Sequence, residues 1–341
     1  MVMAGANQSS GPKVKWGVLG VANIATKKVI PGMRKCACAE IVAIASRDFD
    51  RARNAADQLG LPKVYGSYEE LLEDSNVDAI YNPLPNHLHV PWTAKAAEAG
   101  KHVLCEKPIA LSAHEARELI AVRDRTGVKM GEAFMVRTHP QWLRVRELVR
   151  GGEIGELRSI ISAFSYFNTD RANIRNIHEY GGGALMDVGC YPITLSRFLF
   201  EREPERVIGL IERDPEFSTD RLTSGMLYFG SGQSIFTCST QLVPFQKMEI
   251  LGTKARIEVE IPYNIPPDRP CRILIDDGAQ LGGGNARVEE FDAIDQYATQ
   301  GDAFSRAILD DTEVPVTVED AVANMEVIEA LFRSGESGKL E

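Results

Sequence analysis

Lys107 and Tyr191 are the side chains of this chain best suited to proton transfer, and each stands in a patterned stretch. His102, Val103, Leu104 and Cys105 form an apolar run that ends in Glu106, Lys107 and Pro108. Strand residues alternate faces, so Glu106 and Lys107 leave that run on opposite sides. At the carboxyl end of a central strand in an open sheet, one side faces the ligand crevice. Lys107 placed there would orient a reacting oxygen and depress the pKa of a neighbouring acid. Taken alone, the tripeptide also reads as a surface Glu-Lys pair past a strand end.

The second stretch runs from Gly181, Gly182 and Gly183 through Asp187 and Gly189 to Tyr191, Pro192 and Thr194. A helix starting after the glycines places Asp187, Tyr191 and Thr194 at i, i+4 and i+7, on one face. On this reading Tyr191 is a general acid/base whose phenol is lowered from about 10 by the Lys107 cation. Asp187 then binds a substrate hydroxyl. Pro192 weighs against a continuous helix there. The alternative makes Tyr191 a core aromatic with its hydroxyl satisfied by Asp187.

Such groups need a scaffold and a redox partner. Strand-like runs at Val14–Gly20, Ile41–Ser46, Ala79–Pro83, His102–Cys105 and Met130–Met135 alternate with helix-like segments. Those segments are Ala22–Lys35, Asp50–Leu59, Tyr68–Asp74, Val90–Ala99 and Ala113–Thr126, with Ser67 and Ser112 as N-caps. This rhythm predicts βαβ units and a parallel sheet covered on both faces. After a helix at Trp142–Val149 the rhythm changes. β-like runs follow at Arg158–Phe167, Arg206–Glu212, Thr223–Phe229, Ser234–Thr240, Met248–Gly252 and Ala255–Glu260, interrupted by one helix near Gly183–Leu199. Strands in succession predict a mainly antiparallel sheet, and a last helix spans Val318–Ser334. The expected class is α/β: a disordered lead over 1–12, a doubly wound dinucleotide-binding domain over 13–138, and an α+β domain with an open sheet over 139–341.

The first strand ends at Gly20 and runs through Ala22, Asn23, Ile24 and Ala25 into a helix. A Rossmann turn places small residues at these points for the bend, the pyrophosphate approach and the helix packing. After the second strand stand Ser46 and Arg47, which suit the dianionic 2′-phosphate of NADP, where an NAD enzyme places a carboxylate. The alternative leaves Arg47 solvated and gives Asp48 the acidic role, so NAD remains open as cofactor. Pro83, Asn86 and His89 follow the strand before Lys107 and are expected at the nicotinamide side. His87 and His89 lack a nearby carboxylate or thiol partner in sequence, so no metal site is expected.

The formal net charge of -10 argues against a nucleic-acid or anionic-membrane partner. No apolar run approaches the ~18 residues of a membrane span. Six cysteines without a CxxC pair read as free thiols of a reducing cytoplasm. The expected location is cytoplasmic.

Glu106-Lys107-Pro108, the upstream Pro85-Asn86 and His89, and the run from Gly181 to Tyr191 together resemble the glucose–fructose oxidoreductase/inositol dehydrogenase family. The likeness extends from about Lys13 to the final helix. Within the family, Ser46-Arg47, Asn173 to Arg175 and Asp187 to Pro192 look most like the D-xylose dehydrogenase and dihydrodiol dehydrogenase branch. The resemblance implies a Rossmann domain, then a large open sheet used for dimerisation, and hence a homodimer or homotetramer. It implies that Lys107 is catalytic, that Glu106 with Lys107 borders the cofactor, and that Arg175 or His178 contacts substrate. Many relatives carry His at the place of Tyr191 and Asp at that of Thr194, which argues for aldose-type over inositol-type chemistry. The expected activity is hydride transfer between NADP and a sugar or polyol, with oxidation of a pyranose at C1 to the lactone first. A dihydrodiol, a deoxy-ketosugar, sugar-to-sugar cycling, or a non-enzymatic nucleotide or sugar sensor stand as alternatives.

Overall fold

The computed structural model describes residues 11–280 and 282–341, so most of the expected lead lies outside the described residues. Six parallel strands form the first sheet: β1 (Val14–Leu19), β2 (Ala39–Ala45), β3 (Lys63–Tyr65), β4 (Ala79–Asn82), β5 (His102–Cys105) and β6 (Met130–Glu132). Their order is β3-β2-β1-β4-β5-β6, so the direction of winding reverses between β1 and β4. β3 has only three residues, too few for its alternation to show in sequence.

The accompanying helices are α1 (Ile30–Met33), α2 (Phe49–Leu59), α3 (Tyr68–Glu73), α4 (His89–Glu98) and α5 (Ala113–Thr126). Ser67 and Ser112 cap α3 and α5, their Oγ atoms accepting from the amides of Glu70 and Glu115 at 3.1 Å. One face of the sheet buries Ile80 and Val103 under Leu71, Ala96 and Leu119. The other buries Trp16 and Tyr81 with Ile30 and Phe304.

The chain then passes through α6 (Pro140–Arg150) into β7 (Leu157–Phe167), α7 (Cys190–Phe200), β8 (Arg206–Arg213), β9 (Asp220–Tyr228) and β10 (Gln233–Ser239). β11 (Gln241–Gly252), β12 (Arg256–Val259), β13 (Cys271–Asp276) and β14 (Arg287–Phe291) follow, then α8 (Gln296–Leu309) and α9 (Val318–Ser337). The second sheet is ordered β14-β13-β12-β11-β7-β10-β9-β8 and is antiparallel except where β10 pairs with β7. α8, β13 and β14 were not anticipated from sequence. α8 returns to the first sheet, where Ser305 Oγ accepts from the Trp16 indole at 3.0 Å and Phe304 packs edge-on. α9 binds α5 through the Arg123–Glu319 and Arg117–Glu326 pairs.

Two expected helices do not run as simple α-helices. Ala25–Val29 and Leu185–Gly189 are π-turns, each followed by an α-helix carrying a proline, Pro31 or Pro192, near its start. Proline cannot donate to the carbonyl four residues back and its ring crowds that oxygen. A wider turn just before it relieves both demands. Among the described residues, no helix is long and apolar enough to cross a membrane.

Candidate active site

Gly20 follows β1 at the point where the winding reverses, with φ of +82°, a left-handed value that disfavours any side chain. A Cβ there would lie 3.0 Å from Leu84 Cδ2. Beyond this turn opens a cleft of about 1010 Å³, lined from both sheets. Gly20, Ala22, Asn23 and Ile24 line one end, with Ser46 and Arg47 beside them. Asp48 caps α2, its Oδ1 accepting from the Arg51 amide at 3.0 Å. That geometry favours Arg47 over Asp48 as the group offered to a ligand. Lys27, Lys28 and Arg51 join it on the wall, and sequence reading missed all three. The lysines lie in the π-turn, where helical spacing gives the wrong face. The Arg51 Nη2 donates to Val21 O at 3.0 Å, and among the described residues Arg47, Lys27 and Lys28 form no ion pair. A left-handed glycine, small residues and unpaired cations fit the phosphates of a dinucleotide.

Pro83 and Asn86 line the middle of the cleft, and Asn86 Nδ2 donates to Gly181 O at 3.0 Å, tying the two halves together. His89 also borders the cleft but is 1% exposed. Its Nδ1 lies 2.7 Å from Pro108 O and its Nε2 2.6 Å from Leu84 O. Both ring nitrogens face backbone carbonyls, and because burial lowers the imidazole to about 4 the neutral ring donates to only one of them. Glu106 Oε1 accepts from Tyr81 OH at 2.6 Å, and burial raises the carboxyl despite Lys107 and that hydrogen bond.

Lys107 reaches across to the π-turn. Its Nζ donates to Asp187 O at 2.6 Å and to Asp187 Oδ1 at 3.0 Å. The other carboxylate oxygen, Oδ2, accepts from Tyr166 OH at 2.6 Å and Arg175 Nε at 2.7 Å. Burial acts to raise the Asp187 carboxyl, but Arg175, Lys107 and Tyr166 outweigh it and hold it well below the usual carboxylate range. Burial likewise works against the Lys107 ammonium, and Asp187 outweighs it, so the lysine titrates above its ordinary value.

Tyr191 lines the same cleft, but its hydroxyl donates to Met135 Sδ at 3.4 Å. Its ring packs edge-on against Phe134 and Phe164, and Lys107 Nζ sits over the ring at 5.0 Å. Burial, with Tyr297 and Cys190 adding, pushes the phenol well above 10. The expected lowering of this phenol by Lys107 is therefore corrected, because the cation meets the ring and its charge is matched by Asp187. The tyrosine on Asp187 is Tyr166 of β7, which nothing in the local sequence distinguishes from its strand neighbours. The expected shared face also fails at Thr194, which is fully buried and accepts from Arg137 Nη1 at 3.3 Å. The π-turn changes the helical phase between Asp187 and the residues after it. Arg175 lines the cleft, whereas His178 is exposed outside its lining.

Residues 14–134 match the family model described as an oxidoreductase family with an NAD-binding Rossmann fold, GFO_IDH_MocA. Residues 142–258 match its C-terminal domain. An uncharacterized oxidoreductase of Rhizobium meliloti is 47% identical over 96% of this chain and 98% of its own. A D-xylose 1-dehydrogenase (NADP(+)) of Haloferax volcanii is 38% identical over 95% of this chain and 98% of its own. Among solved structures, a 3-ketoreductase from Actinomadura kijaniata in complex with NADP and TDP-benzene superposes with a TM-score of 0.87 at 29% identity, covering 94% of this chain and 98% of that one.

Proposed function

The chain belongs to the GFO/IDH/MocA oxidoreductase family, and from that premise we propose that it oxidises an aldose at C1 to the lactone with NADP as acceptor. The observation carrying this reading is the Lys107–Asp187 pair, which stands where the cation-lined end of the cleft meets the end lined by Tyr166, Asn168 and Arg175. Arg47, unpaired beside Gly20, favours NADP through its 2′-phosphate. The similarity to an NADP-dependent xylose dehydrogenase supports both parts.

Bound in the cleft, the nicotinamide would supply the hydride acceptor. The chain's part is to hold the sugar and take its proton. Lys107 Nζ hydrogen-bonds the C1 oxygen; as the free amine it accepts the hydroxyl proton while hydride leaves C1. The ammonium then returns that proton to solvent, or donates it when the reaction runs as carbonyl reduction. Asn168, Asp170 and Asn264 offer amide and carboxylate groups to the sugar hydroxyls. Because the lysine titrates high, oxidation speeds up as pH rises towards its pKa, and reduction slows.

Mixing the protein with NADP and a panel of aldoses, polyols and dihydrodiols, while following cofactor reduction by absorbance, tests the reading. Turnover on an aldose with lactone as product supports it. Turnover confined to dihydrodiols or to ketosugar reduction replaces it.

The open face of the second sheet pairs the chain with a second copy. Ile208, Met226, Ile235 and Ile161 stand in register across four strands, and Leu210, Phe167 and Phe245 extend this apolar surface. A face of this kind can be self-complementary about a two-fold axis.

A further inference from the structure

The Asp187 carboxylate that holds Lys107 also accepts from a tyrosine of a different element, Tyr166 of β7. An ammonium has three N–H donors. Asp187 takes two of Lys107's through its backbone oxygen and Oδ1. One donor is left for a ligand, provided the Asp187 carboxylate does not rotate. Two donors on Oδ2, Tyr166 OH and Arg175 Nε, prevent that rotation.

The local backbone is shaped to bring Tyr166 there. β7 lies in the middle of its sheet, between β11 and β10. Phe167 pairs with Gln241 and Ser165 with Phe245, so residues 242–244 of β11 leave the ladder opposite Tyr166. A bulge of this kind re-aims the facing side chain and gives up regular pairing to do so. Ser165 Oγ anchors it by donating to Val243 O at 2.7 Å. Asp187 in turn sits in a π-turn that places its carboxylate towards the cleft.

We propose that Tyr166 is a positioning residue which, with Arg175, fixes the Asp187 carboxylate so that the one position of Lys107 Nζ not bonded to Asp187 (a lone pair in the amine, an N–H in the ammonium) faces the reacting oxygen. The inference rests on the reading of Lys107 as the residue that holds that oxygen. Tyr166 itself stays protonated, because burial and the adjacent Asp187 charge push its phenol far up. It acts through its hydrogen bond. The groups facing Lys107 are Asp187, Cys190, Arg175 and Glu106, with the Tyr191 ring beside it. Those facing Tyr166 are Asp187, Arg175 and Asp220. Of these, Asp187 is the anion that most raises Lys107, so releasing it lowers the lysine's pKa.

Tyr166→Phe keeps the ring and removes the hydroxyl. The expected result is a fall in kcat of about tenfold or more, in line with loss of aim at a reacting centre, with KM and the dissociation constant for NADP unchanged. The rising limb of the kcat/KM profile for oxidation, set by deprotonation of Lys107, moves to lower pH. Lysine 13C NMR titration, with Lys107 assigned from Lys107→Met, reads the same pKa without any sugar. It therefore decides the matter even when the sugar panel fails. A kcat within twofold of wild type with an unmoved Lys107 titration overturns the proposal. So does a fall in kcat matched by weaker NADP binding and a lower unfolding midpoint, which marks a merely structural role.

Discussion

The two ends of the cleft are built on opposite electrostatic plans. At the nucleotide end, Lys27, Lys28 and Arg47 stand unpaired and come from two short segments that follow β1 and β2. At the end proposed for the substrate, Lys107, Tyr166, Arg175 and Asp187 come from separate segments and satisfy one another without a ligand. Partly solvated cations contribute modestly and separately. Groups sharing one buried carboxylate act as a unit, and losing one leaves the others less well satisfied. Substitutions at the substrate end should therefore act on turnover in large steps, and those at the nucleotide end on cofactor choice in smaller ones.

The sharpest way to break the contrast is Lys107→Met. Turnover should fall by about a thousandfold, within the ~10²–10⁴ range of a positioned acid/base, while NADP titration stays near wild type. Near-normal turnover would remove Lys107 from the chemistry. Arg47→Leu probes the other end. Loss of one charge-assisted hydrogen bond of ~1.5–3 kcal/mol weakens NADP by roughly 10- to 100-fold, with NAD binding and kcat at saturating cofactor little changed. Equal weakening of NAD and NADP would show that Arg47 does not read the 2′-phosphate.

A smaller effect belongs to Glu132, which lies at neither end. It is 2% exposed on β6, its Oε1 accepts from Ile109 N at 2.8 Å, and burial raises its pKa to about 8 from 4.5. A carboxyl raised in the folded state stabilises the fold fully below its unfolded pKa and loses that contribution as pH rises through the folded one. Wild type should therefore lose stability between about pH 4.5 and pH 8. Glu132→Gln, which keeps the Ile109 bond, should flatten that slope in denaturant titrations. An unchanged slope would place the ionisable group elsewhere.

Much of the nucleotide end was legible because its parts are local. Gly20, Ser46 and Arg47 each follow a strand whose apolar run is visible in sequence, and the strand–turn–helix order fixes where such residues emerge. The substrate end was legible only in its pieces. Lys107 and Asp187 stood out by type and setting, Arg175 only through the family resemblance, and they do meet, while Lys107 faces the ring of Tyr191 and the hydroxyl turns to Met135. Tyr166 had no signal at all: it is one aromatic in a strand, and its role depends on a bulge in the neighbouring strand and a turn twenty residues on. α8 was missed for a related reason, since its apolar residues cover the first sheet from the far end of the chain.

The sequence by itself determined the alternation of strands and helices, the glycine turn after β1 and Arg47 after β2, because each depends on chain geometry within a few residues. Tertiary structure alone decided which tyrosine serves Asp187, that the His89 ring turns inward between Pro108 O and Leu84 O, and that Thr194 is buried. The choice of tyrosine and the turning of Thr194 follow from a register shift between β7 and β11 and a change of helical phase before Pro192. A shift of one position redirects a side chain by a large angle, and the choice between the alternatives is made by contacts with residues far away in sequence.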